Sequence, residues 1–292
     1  MQTVLAFASR NIRVYVRDRM AVFFSFLSVL IIIALYALFL GKVQADGIRA
    51  IIGDLKGVRS LVDSWIMAGL LSVNAVTISL GVLGTMVFDK EFKRFSDFIV
   101  APTSRTGIVV SYLISAWVIS LSFSIAALVA GELYIVSGGG QLLSAVSALR
   151  VVGMLALAVV SSSSVMFFFA SFLTSGSAFG VLSTLLGTLI GFITGVYVPL
   201  GVLPSAVQKF VVLVPFSHSA AMLRQAFCDA PLAAVFGSAP PAVQAQYMKM
   251  YGIRLFWNGT EISMAAMLVI LAGTTVVFLA ISALKLRAQA KR

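Results

Sequence analysis

Apolar and polar stretches alternate along this chain on a long scale. Apolar runs occupy 21–41, 64–88, 107–136, 151–172, 178–198 and 262–284, each set off by charged residues or turn formers. At ~1.5 Å per residue, a run of about 20 residues crosses a ~30 Å hydrocarbon layer, and it must be helical there to satisfy its own backbone. The period-two alternation of a membrane β-barrel is absent from the sequence. The pattern predicts an all-α integral membrane protein with six transmembrane helices, forming a single domain over 1–292.

The segments between the runs add detail. Residues 1–19 predict an amphipathic interfacial helix: Leu5, Ala8, Ile12, Tyr15 and Val16 share one face, and Arg10, Arg13 and Arg17 another. The same charges also suffice as a positive flank that sets topology. The stretch 42–63 carries Lys42, Asp46, Arg49, Asp54, Lys56, Arg59 and Asp63 and predicts a solvated loop or short surface helix. Asn74, Thr77 and Ser79 sit inside the second run. Such groups face neighbouring helices or a water-filled path, or return a hydrogen bond to their own backbone. Glu132, near the end of the third run, is an ionisable candidate for function, although the adjacent Ser137–Gly140 turn would also let it reach interfacial water. Ser161 to Ser164 allow close helix approach, and Gly187, Gly191 and Gly195, spaced by four, predict one small-residue stripe. Pro199, Pro204 and Pro215 break 199–227 into pieces too short to span, which predicts a re-entrant hairpin between helices 5 and 6; an external turn satisfies the same pattern. The more polar 228–260 is expected to be an external segment.

Composition narrows the functional classes. The chain is 60% hydrophobic and 11% charged, with a mean hydropathy of +1.06, too apolar for a soluble surface. Its net charge of +11 is a membrane-surface feature that favours anionic lipid; there is no basic-aromatic platform for nucleic acid. With one cysteine, Cys228, and one histidine, His218, it has no internal disulfide, no Cys-based metal site and no His relay. Nucleotide-binding, zinc-protease and nucleophile-elbow motifs are missing from the sequence, so neither catalysis nor a cofactor bound by this chain is expected. The basic arm and the tail Lys285, Arg287, Lys291 and Arg292 predict that both termini are cytoplasmic, in a plasma membrane of the bacterial inner-membrane kind.

One island interrupts the apolar sequence, Asp89 to Thr106, DKEFKRFSDFIVAPTSRT. Its density of charge calls for an aqueous or protein partner. Phe88, Phe92, Phe95 and Phe98 or Ile99 recur at helical spacing, Lys90, Glu91, Lys93, Arg94 and Asp97 flank them, and Pro102 favours a stop. The spacing predicts a helix with an apolar stripe and a charged rim, suited to a groove on another protein or to the membrane surface. With no coupling chemistry inside the runs, the energy source would be that partner.

These residues together resemble the ABC type 2 permease family of ABC exporters, of the drug or glycolipid export type. Glu91 and Pro102 match its E-x10-P coupling segment, with Thr103-Ser104-Arg105 following. Pro199, Leu203, Pro204, Pro215 and Arg224 fall in the order of its proline-rich hairpin. The resemblance covers essentially the whole chain. It implies an exporter subunit whose partners are a cytoplasmic ABC ATPase that holds ATP and Mg, a second copy of this chain or a related permease, membrane lipid, and an amphipathic substrate such as a drug, an antibiotic or a lipid-linked saccharide. In such a permease Glu91, Phe92, Arg94, Phe95, Asp97 and Pro102 would couple to the ATPase, while Asn74, Thr77, Gly187, Gly191 and Gly195 are candidate path linings. Two positions depart from the family pattern: Lys93, where Gly is frequent, and Val214, where Asn often precedes the proline. The rival readings are a stand-alone ion-coupled transporter with Glu132 as carrier, and a non-transporting membrane scaffold.

Overall fold

The structure is a computed structural model that describes residues 2–52, 57–94, 105–237 and 239–290. Among them, six helices are long and apolar enough to cross a membrane: Arg19–Phe39, Val58–Glu91, Thr106–Ser137, Ala145–Phe172, Gly176–Ile193 and Met264–Lys285. The protein is an all-α multi-pass membrane protein.

In chain order, α1 (Gln2–Arg17) is followed by α2 (Arg19–Leu35), which continues through a π-turn at Tyr36–Leu40 into α3 (Gly41–Ile52). Then come α4 (Val58–Glu91), α5 (Arg105–Ser137), α6 (Ala145–Phe172) and α7 (Gly176–Ile193). A 3-10 turn (Leu200–Val202) leads to α8 (Ser205–Leu213), α9 (Pro215–Phe236) and α10 (Pro241–Met250). A minimal antiparallel hairpin, β1 (Phe256–Trp257) with β2 (Thr260–Glu261), precedes α11 (Met264–Ala290).

The helix boundaries follow local chemistry. Asp18 caps α2 by accepting from Ala21 N at 3.0 Å, Ser144 caps α6 through Ser147 N at 3.2 Å, and Ser175 caps α7 through Ala178 N at 3.3 Å. Prolines occupy the first turn of α9 and α10, where the missing N–H costs nothing. Pro215 also forces Val214 into extended backbone, φ −87° and ψ 127°, and α8 and α9 meet there at 89°. Several elements run further than the sequence pattern suggests. Helix covers much of 42–63, α4 starts at Val58, α6 starts at Ala145, and α9 passes Cys228 to end at Phe236.

α4 is the axis of the bundle. Of its most apolar stretch 83% is buried, against 6% for α2 and 11% each for α7 and α11. Those three present apolar exteriors that suit lipid or another membrane chain. One core surrounds the first half of α4, Val58 to Leu71, with residues of α3, α9 and α10; a second surrounds Val76 to Val87 with residues of α1, α5, α6 and α7. Ser79 joins three helices at mid-length, its Oγ lying 3.1 Å from Ser120 Oγ and 2.8 Å from Ser163 Oγ. Small hydroxyls of this kind let helix backbones approach. The chain alternates direction, so Glu91, Phe172 and Gly176 share one end of the bundle, the base, and Val58, Ser137 and Met264 share the other, the cap end.

The face α1 packs inward is not its most apolar one. Ala8, Asn11 and Tyr15 are buried, while Leu5 and Val16 are exposed. Asn11 Nδ2 reaches Ser111 Oγ at 3.5 Å and Tyr15 shares a 2.9 Å hydrogen bond with Ser25. Polar contacts therefore set the roll of α1, and its leftover apolar residues stay outward.

Candidate functional site at the base of α4

The last turn of α4 emerges from the apolar core carrying Asp89, Lys90 and Glu91 in succession. On a helix three consecutive residues point in three directions, and each meets a different neighbour. Asp89 is buried and accepts hydrogen bonds from both terminal guanidinium nitrogens of Arg10, Nη1 and Nη2, the Nη2–Oδ1 distance being 2.8 Å, and from Tyr112 Oη at 2.7 Å. A bidentate guanidinium-carboxylate pair is a directional link, here between α1 and α4. Its main electrostatic effect is to raise the Arg10 pKa above the ordinary arginine value.

Lys90 and Glu91 use the helix dipole in opposite senses. Lys90 Nζ donates to the carbonyls of Ser171 at 3.0 Å and Leu173 at 3.4 Å, at the C-terminal end of α6. Glu91 Oε1 accepts from Gly176 N at 3.0 Å, at the N-terminal end of α7. A cation on terminal carbonyls and an anion on terminal N–H groups are the two favourable pairings with a macrodipole. Lys285 of α11 adds a 3.1 Å hydrogen bond to Ser171 Oγ. The end of α4 is thus fastened to α1, α5, α6 and α7.

The helix expected to run on through the phenylalanine stripe stops at Glu91. Lys93 has φ 59°, the left-handed region that suits glycine and strains a side chain. This is the position where the family pattern often has Gly, so the departure has a physical consequence. Phe92 and Arg94 lie beyond the stop and face outward, with Arg94 stacked 5.2 Å from the Phe92 ring centroid and 3.8 Å from Asp89. Phe95, Asp97 and Pro102 lie outside the described residues. A cavity of about 480 Å³ opens beside this end, lined by Tyr15, Phe88, Phe92, Arg94 and Phe179.

At the cap end, Arg224 on α9 is fully buried. Its guanidinium lies over the Trp65 ring of α4, 4.6 Å from the centroid, and among the described residues Nε and Nη2 have no hydrogen-bond partner. Glycines make room for it: a Cβ on Gly69 would lie 3.0 Å from Nη2, and on Gly195 or Gly252 3.3 and 3.4 Å from Nη1. Trp65 is itself held by a 2.7 Å hydrogen bond to Tyr251 O, with the Tyr251 ring edge-on to it and Tyr247 stacked on Tyr251 at 4.3 Å. Pro199, Leu203 and Pro204 frame the turn before α8, and Pro215 opens α9. Val214 is the cap residue of α9 and offers no side-chain hydrogen bond there; asparagine, frequent at this place in the family pattern, would.

The candidate path residues do not converge. Asn74 is buried in α4, and Thr77 returns its hydroxyl to Val73 O at 3.1 Å. Gly187 borders open space, Gly191 lies beneath the Tyr197 ring, and Gly195 falls after α7 in a turn with φ 70°. The three glycines do three jobs rather than one. Glu132 accepts from Leu143 N at 2.9 Å and so ties down the loop after α5. Sequence spacing missed Arg10, Tyr112, Ser171, Gly176 and Trp65, whose roles depend on partners far away in the chain. For Arg10 the signal was its charge in the arm before the first apolar run; Tyr112, Ser171, Gly176 and Trp65 carry no such signal.

A search of the curated proteins finds no match to this chain. The family model described as ABC-2 type transporter matches residues 2–228, from α1 into α9. The protein belongs to the ABC-2 type transporter family, as a membrane component.

Proposed function

We propose that this chain is the permease subunit of an ATP-driven exporter, powered by a separate cytoplasmic ATPase that binds ATP and Mg. The observation that carries the reading is the base of α4, where one helical turn is bonded to α1, α5, α6 and α7 while Phe92 and Arg94 point away from the bundle. A displacement applied there would reach the spans together. Phe92 and Arg94 then contact the ATPase, and Asp89, Lys90 and Glu91 distribute the load within the subunit. The base faces the cytoplasm, in keeping with the basic residues at both termini. The exposed apolar side of α1 lies on the inner membrane surface, and the bend between α8 and α9 belongs to a re-entrant hairpin. The apolar exteriors of α2 and α7 supply the surface for a second permease copy or a related chain. The aromatic cavity at the base favours an amphipathic substrate, such as a drug, an antibiotic or a lipid-linked saccharide. Glu132, which an ion-coupled carrier would need for its ion, is occupied with Leu143.

The test is co-purification and ATP-dependent export with a candidate cytoplasmic ABC ATPase co-expressed with this chain. Phe92→Ala with Arg94→Ala is expected to abolish both while leaving the chain folded in the membrane. Unchanged co-purification together with unchanged ATP-dependent export would overturn the coupling role.

A further inference from the structure

A large cavity lies at the cap end, remote from the base. Its volume is about 620 Å³, within the ~300–1,000 Å³ range of small-molecule sites. The first turns of α6 and α11, the middle of α9 and the inner face of α10 enclose it. Met154, Met248, Met264 and Leu232 provide its apolar surface, and Arg150 and Arg254 its charge. Methionine is the most adaptable apolar side chain, so a surface built from three accepts varied or flexible tails.

Of this cavity and its neighbour, only the larger carries basic side chains. A second cavity, of about 360 Å³, adjoins it across Ser147, Ala226 and Asp229 and carries Glu132. Asp229 lines both; the two arginines line only the larger. Arg254 is paired with Glu261 at 3.1 Å, whereas Arg150 has no ion pair among the described residues. The walls are held in place, since Gln225 Nε2 donates to Ile253 O at 2.9 Å and Trp65 donates to Tyr251 O nearby. From the mouth, the exposed Val146 and Leu149 on α6 and Leu268 and Val269 on α11 continue the apolar lining onto the outside of the bundle.

We propose that this cavity binds a flexible amphiphile with an acidic head, the head on Arg150 and the tail along Met154, Met248 and Met264. The ligand reaches it from the bilayer along the exposed side of α6 and α11. The site is separate from the base of α4 and operates in the chain alone, so its failure leaves the ATPase reading standing, and the reverse also holds.

The test titrates the full chain, in nanodiscs of phosphatidylcholine and without any ATPase, with the fluorescent probe 11-(dansylamino)undecanoic acid and with its uncharged methyl ester. The acid is expected to bind saturably and about tenfold more tightly than the ester, the factor that one charge-assisted hydrogen bond supplies. Arg150→Gln should remove that preference and Arg150→Lys keep most of it. Met154→Trp, which fills the cavity, should abolish saturable binding of both probes. Arg150 is exposed, so its variants leave folding intact and thermal unfolding can verify it. Partial replacement of phosphatidylcholine by phosphatidylglycerol separates the two sources of such a ligand. Suppression of probe binding assigns the site to an anionic lipid, and its persistence to a free amphiphile; both uphold an acidic-head site. Equal titration by acid and ester, or titrations unchanged in Arg150→Gln and Met154→Trp, would overturn the proposal and leave simple partition into the bilayer.

Discussion

At the base end of α4, Asp89, Lys90 and Glu91 hold their neighbours by an ion pair and by bonds to helix termini; at the cap end Trp65 holds Arg224 and Tyr251 through ring faces, an indole N–H and close glycine contacts. At the base the Glu91 contact is exposed, where water can replace the partner at modest cost, whereas Asp89 is buried with Arg10 and Tyr112 as polar partners. The cap contacts are buried, and among the described residues Nε and Nη2 of Arg224 have no hydrogen-bond partner. Separating Trp65 from it would leave a bare charge in an apolar setting. A helix of 34 residues, about 50 Å long, is thus clamped by dry packing at one end and by ion-pair and helix-terminus bonds at the other.

The largest test of this contrast is Trp65→Ala. It removes a large core ring, the N–H that satisfies Tyr251 O and the surface beneath Arg224, and is expected to cost about 4 kcal/mol, read as a large drop in the thermal unfolding midpoint in detergent. An effect no greater than that of a base-end variant would break the contrast. Asp89→Asn comes next. It leaves Arg10 without its anion and is expected to cost about 2–3 kcal/mol; hydrogen exchange should rise first in α1, and unchanged α1 protection would show that the Arg10 pair does not hold that helix.

Smaller effects sharpen the contrast. Lys93→Gly relieves a left-handed side-chain residue and should stabilise by about 1 kcal/mol, whereas Lys93→Val should destabilise. Val214→Asn supplies the missing cap of α9 and should stabilise by up to about 1 kcal/mol. Glu91→Gln weakens the anion at the start of α7 and should cost only about 0.3–1 kcal/mol, with the loss shrinking in high salt. A salt-independent loss would mean that the Glu91 contact is not electrostatic.

The particular residues show what sequence reasoning reaches. The apolar runs were visible because a spanning helix needs an unbroken stretch of fixed length, a property of consecutive residues. The charged island was visible for the same reason, since charge is costly within such a stretch. Its use was not: the phenylalanine spacing continued a helix that Lys93 stops, and Asp89 is satisfied by Arg10, which lies 79 positions away. Equal spacing likewise grouped Gly187, Gly191 and Gly195, although the helix ends between the second and third.

The sequence by itself determined the class of protein, the number and order of its spans, the proline and glycine breaks and the family, since all of these depend on local composition and order. Tertiary structure alone decided which span is central, which charge meets which helix end, and that the buried cation Arg224 rests on Trp65. Those outcomes depend on side chains brought together from distant parts of the chain, where distance and burial, rather than residue type, set the energy.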